Sequence, residues 1–141
     1  MNKNNFAFIA LSLFLFSFCN VSATTPPEAV KKTFAEKFPT AQNVKWGKEN
    51  AKEYEAEFTL NGIKTSSNFS GDGKWLETES KIPVKDLPAP VVKSVTAKHP
   101  KALITGADKI DSASKGILYE VEFTEGRKKH EAVADENGVL K

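Results

Sequence analysis

Tyr54-Glu55-Ala56-Glu57-Phe58-Thr59-Leu60-Asn61-Gly62 decides the fold. Tyr54, Ala56, Phe58 and Leu60 alternate with Glu53, Glu55, Glu57 and Thr59. That two-residue period describes a strand with one oily face and one carboxylate face. Asn61-Gly62 is the favoured pair for a tight type I′ hairpin. The chain therefore returns through Ile63 to Ser70, with Leu60 opposite Ile63 and Glu57 opposite Ser66. Gly71-Asp72-Gly73 makes the next turn, Lys74 to Thr78 forms a further strand, and an earlier strand runs through Val44 and Trp46.

The same writing returns downstream. Tyr119-Glu120-Val121-Glu122-Phe123-Thr124 repeats the quoted strand, and Gly138 repeats Gly73 at the same offset. Upstream of each strand group, Val30-x-x-x-Phe34-x-x-Lys37-Phe38-Pro39 reappears as Val91-x-x-x-Val95-x-x-Lys98-His99-Pro100. Three blocks in one order point to an internal duplication. The strand blocks lie slightly further apart than the helical blocks, which predicts a longer turn near Asp111 to Gly116.

Each copy opens with a helix. Val30, Phe34 and Phe38 share one face, as do Val91, Val95 and His99. Thr25 is expected to cap the first helix with Pro26 at its first position and Glu28 closing a capping box. Asp86 or a neighbour is expected to cap the second, and Pro39 and Pro100 to end them. Strands follow near Leu103–Ile110, Ile117–Thr124 and Lys128–Ala134, with a stub at Gly138–Lys141. At Glu125-Gly126 a two-residue loop would turn His130 inward, and a three-residue loop with a bulge would turn Val133 inward. The bulge is expected, because it buries valine rather than histidine. The fold class is α+β: two tandem repeats, residues 24–80 and 87–141, joined by a linker at 81–86. Each repeat is one helix on an antiparallel sheet of about four strands. Units this small are marginal alone, so the copies should pack together, edge to edge, leaving much of the sheet surface open.

Residues 1–23 stand apart. Lys3 is followed by an almost wholly apolar run from Phe6 to Phe18 and then by Val21-Ser22-Ala23. This is the pattern of a secretory leader cleaved after Ala23, and the run is too short to span a bilayer. Lipoprotein processing at Cys19 is disfavoured by the bulky Phe18 before it. Cleavage after Ala23 removes Lys3 and Cys19, which leaves 19 basic against 18 acidic residues and no cysteine. The mature chain then has no disulfide and no thiolate chemistry. Lysines and glutamates are interleaved rather than gathered on one basic face, which argues against nucleic acid as a partner.

The leader, the two helix–Phe-Pro (or His-Pro) units, the Tyr-Glu-x-Glu-Phe strands and the strand through Gly73-Lys74-Trp75-Leu76 resemble the PepSY-like secreted proteins. The resemblance runs from Thr25 to Lys141. It implies a fold related to the β-lactamase-inhibitor protein and a periplasmic or secreted binding or inhibitory role. It carries no catalytic residues. The inhibitor's disulfides have no counterpart here.

The residues themselves point the same way. No nucleophile elbow, phosphate loop or His-Glu-x-x-His helix is present. His99 is expected at a helix end and His130 on the surface, and no enzyme and no cofactor are expected. Glu55, Glu57, Glu120 and Glu122, with Trp75, are the candidate binding residues for an envelope or secreted protein or peptide. Aromatic residues concentrate at protein interfaces, and since Trp75 and Leu76 point to opposite faces of their strand only one of the two is buried, with either choice open to the sequence. Trp46 is expected in the core with Val44. The carboxylate rows are expected to be solvated and neutralised by lysines such as Lys64 and Lys129, with no metal. Asp72 and Asp135-Glu136-Asn137 are expected as turn residues. The alternative is a periplasmic protein that senses a small ligand or a metal.

Overall fold

The computed structural model describes residues 24–141, so the leader, Cys19 and the cleavage position lie outside the described residues. Helix α1 (Glu28–Lys37) precedes strands β1 (Gln42–Lys48), β2 (Glu53–Leu60), β3 (Ile63–Ser70) and β4 (Trp75–Lys81). Helix α2 (Ala89–Lys98) follows, then β5 (Leu103–Ser112), β6 (Gly116–Glu125) and β7 (Lys128–Asp135). All seven strands form one antiparallel sheet in chain order. The two strand groups meet edge to edge, as expected, but as one continuous seven-stranded sheet rather than two sheets of about four strands. Glu79 pairs with Ile110 and Lys81 with Asp108, so β4 and β5 weld the two groups into one sheet. Lys81, assigned to a linker from sequence, ends β4, and the terminal stub is a single bridge between Ala134 and Leu140.

The first hairpin has the expected register, with Leu60 opposite Ile63, and Asn61 and Gly62 at φ 51° and 81°. The last hairpin does not. Glu125 faces Lys128 across a two-residue loop, which sets His130 opposite Phe123 and Val133 opposite Glu120. No bulge is needed. His130 stacks on Phe123 with ring centroids 5.4 Å apart, and Val133 is buried on the other face with Ile110 and Leu118. The extra residues of the second group lengthen β5 and β6 rather than the turn, which shrinks to residues 113–115.

Neither helix has a side-chain cap. Each instead begins behind a proline. The Pro27 carbonyl accepts from the amides of Val30 and Lys31 at 3.0 and 3.1 Å, and the Pro88 carbonyl from Val91 and Val92 at 3.0 and 3.2 Å. The fixed proline φ sets the entry that Thr25 and Asp86 were expected to set. The exits match as well: the amides of Phe38 and His99 donate to the carbonyls of Phe34 and Val95, each at 2.8 Å.

Val30, Phe34 and Phe38 of α1 pack on Ala56, Phe58 and Phe69. Val91 and Val95 of α2, with Leu87, pack on Ala107, Val121, Phe123 and Ala134. The strand registers put both sets on one face of the sheet. Trp46 joins the first cluster, its ring 5.1 Å from Phe34. Val44 does not, because a register shift and a positive φ at Asn43 turn it to solvent. Gly73 and Gly138 make one contact twice. A Cβ on Gly73 would stand 2.8 Å from the Ala29 carbonyl, and one on Gly138 would collide with the Pro90 carbonyl. Both have positive φ, 87° and 80°. Ala29 and Pro90 occupy equivalent places in the first turns of their helices, one residue before Val30 and Val91.

Candidate functional site

Because side chains alternate along a strand, the face turned away from both helices is fixed by the register. On β2 it carries Glu53, Glu55 and Glu57; on β4, Glu77, Glu79 and Lys81. On β5 and β6 it carries Asp108, Glu120 and Glu122, and on β7, Lys129, Glu131 and Val133. Lys45 lies beside Glu57 and Lys64 beside Thr59. Carboxylates therefore outnumber lysines on this helix-free face by more than two to one.

Four of the five residues singled out from sequence, Glu55, Glu57, Glu120 and Glu122, share this face. Trp75 does not. It lies opposite Phe69 on the helix side, where it packs against the first core. Its indole Nε1 donates to Thr78 Oγ1 at 2.9 Å, and the Lys37 ammonium stands 3.7 Å from the ring centroid. The expectation of an aromatic among the carboxylates is thereby corrected. A register shift between Asn68 and Phe69 decides which face Trp75 joins, and sequence period cannot reveal it.

The carboxylates are not the evenly solvated rows expected. Glu57 is exposed and Glu55 half-buried, but Glu79 and Glu120 are each only 6 % exposed and Asp108 is 0 % exposed. Asp108 lies directly opposite Glu120, and Glu122 opposite Glu131. Like charges so placed repel. Burial, then the neighbours Asp108 and Glu120, push the Glu79 carboxyl up to about 8. Burial, then Glu131 and Asp108, push Glu120 up to about 7. Burial, then Glu49 and Glu57, do the same to Glu55, also to about 7. Burial raises Asp108 too, against the opposing pull of Lys81.

Lys81 is the cation at the centre of this group. Its Nζ donates to Asp108 Oδ2 and Glu122 Oε1, both at 2.7 Å. Burial pulls the ammonium down, but these two bonds outweigh it and hold Lys81 above its usual value. Gly106 makes room for the arrangement, since a Cβ there would collide with the Glu122 carboxylate. Glu79 and Asp108 escaped the sequence reading. The alternation of Glu77, Glu79 and Lys81 with Leu76, Thr78 and Ser80 was visible, but their neighbours across the sheet were not.

The histidines sit elsewhere. His99 Nδ1 lies 3.5 Å and His130 Nε2 3.9 Å from the Glu125 carboxylate, at the end of α2. His130, expected on the surface, is part-buried against Phe123. Asp72 is a turn residue, and Asp135 ends β7 and anchors the turn that follows it. Asp135 Oδ1 accepts from the amides of Asn137 and Val139, each at 3.0 Å, and Asp72 pairs with Lys74 at 3.0 Å. Among the described residues no helix is long and apolar enough to cross a membrane.

A family model described as "Putative beta-lactamase-inhibitor-like, PepSY-like" matches residues 17–66 and again 52–141. The chain belongs to the PepSY-like family. Solved structures of similar fold come from Bacteroides species. A protein of B. eggerthii described as periplasmic aligns with a TM-score of 0.74 at 17% identity, over 83% of this chain and 86% of its own. A DUF2874 family protein of B. ovatus aligns at 0.73 and 20%, over 83% and 85%. A BLIP-like protein of B. fragilis aligns at 0.70 and 20%, over 85% and 86%. At these identities the likeness shows the fold alone. No functionally curated protein matches the chain.

Proposed function

We propose that this PepSY-like chain is an exported, non-catalytic binding module of the bacterial envelope. Its helix-free sheet face docks a cationic segment of an envelope or secreted protein, and inhibition of an enzyme such as a peptidase is the use that fits. The observation that carries this reading is the group of solvent-reaching carboxylates, Glu53, Glu55, Glu57 and Glu77, on one face of an open sheet. Such a face attracts lysine- or arginine-bearing segments and repels the phosphates of nucleic acid. Export is supported by the leader-like stretch at positions 1–23 and by the periplasmic description of the B. eggerthii structure. The tandem arrangement, residues 24–80 and 87–141, is supported by the paired glycine contacts of Gly73 and Gly138 with their helices. With Lys81 in β4, the link between the repeats starts at Ile82.

The test is fluorescence anisotropy with a labelled lysine-rich peptide and a glutamate-rich control of equal length. The basic peptide should bind saturably, more weakly as salt rises. The double variant Glu55→Gln/Glu57→Gln should weaken it by about tenfold, as loss of charge complementarity does. Trp75→Ala, on the opposite face, should leave it unchanged. Equal binding of both peptides would sink the reading, as would a double variant that binds like wild type. The second reading, a metal-sensing protein, draws on the buried carboxylates alone.

A further inference from the structure

We propose that Glu79, Asp108 and Glu120 form a binding site for a hard, calcium-sized divalent cation. The three residues stand on adjacent strands β4, β5 and β6, and one carboxylate oxygen from each lies within 4.8 Å of the others. A calcium ion sits about 2.3–2.6 Å from its oxygen ligands, so oxygens this close can converge on one ion with little movement. The donors are all carboxylate oxygens. That set suits calcium, magnesium or manganese rather than zinc or copper. Magnesium demands a tighter octahedron than three side chains fixed on a sheet readily provide.

A cluster of acids alone would not make a site. The second observation is unmet bonding. Glu79 is 6 % and Asp108 0 % exposed, yet Glu79 Oε1 and Asp108 Oδ1 accept no hydrogen bond. A buried carboxylate oxygen without a donor is costly, and more so beside others of its kind. Lys81 does not resolve this. It binds Asp108 through Oδ2, the other oxygen, and shares itself with Glu122. Asp108 is thus arranged to bridge: Oδ2 to the ammonium, Oδ1 free for an ion. A divalent cation would satisfy both orphaned oxygens and remove the repulsion between Asp108 and Glu120 across the strands. Water would complete the coordination, as in many sites built from few protein ligands. The site needs no docked partner.

The experiment uses protein expressed from its full sequence with its own leader and stripped of metal by chelation. Calorimetric titration and thermal melting are run with calcium chloride, with magnesium chloride, and with sodium chloride of matched ionic strength. Calcium should bind at one saturable site and raise the melting temperature by at least about 5 °C at saturation. Glu79→Gln and Glu120→Gln should each weaken calcium by tenfold or more, and without metal should melt no lower than wild type. Glu57→Gln, on the same face but outside the cluster, should bind calcium as wild type does. Should Glu79→Gln fail to fold, Glu120→Gln gives the same reading. Absence of saturable binding up to about 10 mM calcium, beyond the weak end of extracellular sites, would overturn the proposal. So would equal loss in Glu57→Gln, which would mean diffuse attraction to the acidic face. Metal-free Glu79→Gln and Glu120→Gln that both melt well below wild type would also overturn it, by showing that the carboxylates already have structural partners.

Discussion

The first strand group fills the space under its helix mostly with rings, and the second keeps one buried ring, Phe123, among aliphatic side chains. In the strand blocks Phe69 corresponds to Ala134, and in the helical blocks Phe34 corresponds to Val95 and Phe38 to His99. Phe34 meets Phe58 edge-on at 5.1 Å and Phe38 meets Phe58 at 4.7 Å, whereas α2 rests on Ala107, Val121 and Ala134 with Phe123 as the one buried ring of its cluster. What both halves keep is the backbone frame: proline entry, helix exit, and a positive-φ glycine against the first turn of the helix. Helix placement thus follows from the close approach at Gly73 and Gly138, and side-chain volume is free to vary beneath it.

The sharpest way to break this comparison is at its most unequal pair. Phe69→Ala empties a fully buried site and should cost about 3–5 kcal/mol in urea unfolding. The reciprocal Ala134→Phe overpacks a tight site and should cost about 1–3 kcal/mol. If both changes were nearly neutral, the two cores would not differ in how they are filled. The glycines come next. Gly73→Ala and Gly138→Ala should each lose about 2 kcal/mol, from positive φ and from the clash with the helix carbonyl. A loss at one site and not the other would break the equivalence of the halves.

The smallest effect concerns Glu55 and its counterpart Glu120, which hold the same place in the two matching strand blocks, with carboxyls both raised to about 7. A carboxyl whose folded value lies above its unfolded 4.5 favours the folded state most at low pH. That advantage is lost as pH rises from the unfolded value through about 7. Glu55→Gln should therefore match wild type near the acid end of that window and exceed it above the window. The gain should be on the order of 1 kcal/mol once solvent screening of a half-exposed group is allowed for. Melting curves of the two proteins across this range check it, and a constant difference at all pH values would show that Glu55 is not buried against its charge.

Much of the strand layout was legible because it is local. Tyr54, Ala56 and Phe58 announce their face by alternation, Asn61-Gly62 announces its turn, and the helical stripes announce theirs by spacing. The errors fell where a local rule had a tertiary competitor. Sparing a buried imidazole argues for turning His130 outward, yet Phe123 offers it a ring to stack on. Val133 does not need the helix face, because Ile110 and Leu118 make a second apolar patch on the other one.

The sequence by itself determined most of the elements, the carboxylate-bearing side of β2 and β6, and the recurrence of its helical and strand sequence blocks. Only the tertiary structure decided that β4 pairs with β5, and with that pairing that Glu79 meets Asp108 and Glu120 around Lys81. The physical reason is range. Periodicity and turn chemistry act over a few residues, whereas the neighbours of a side chain across a sheet depend on strand order and register, which the packing of the whole chain sets.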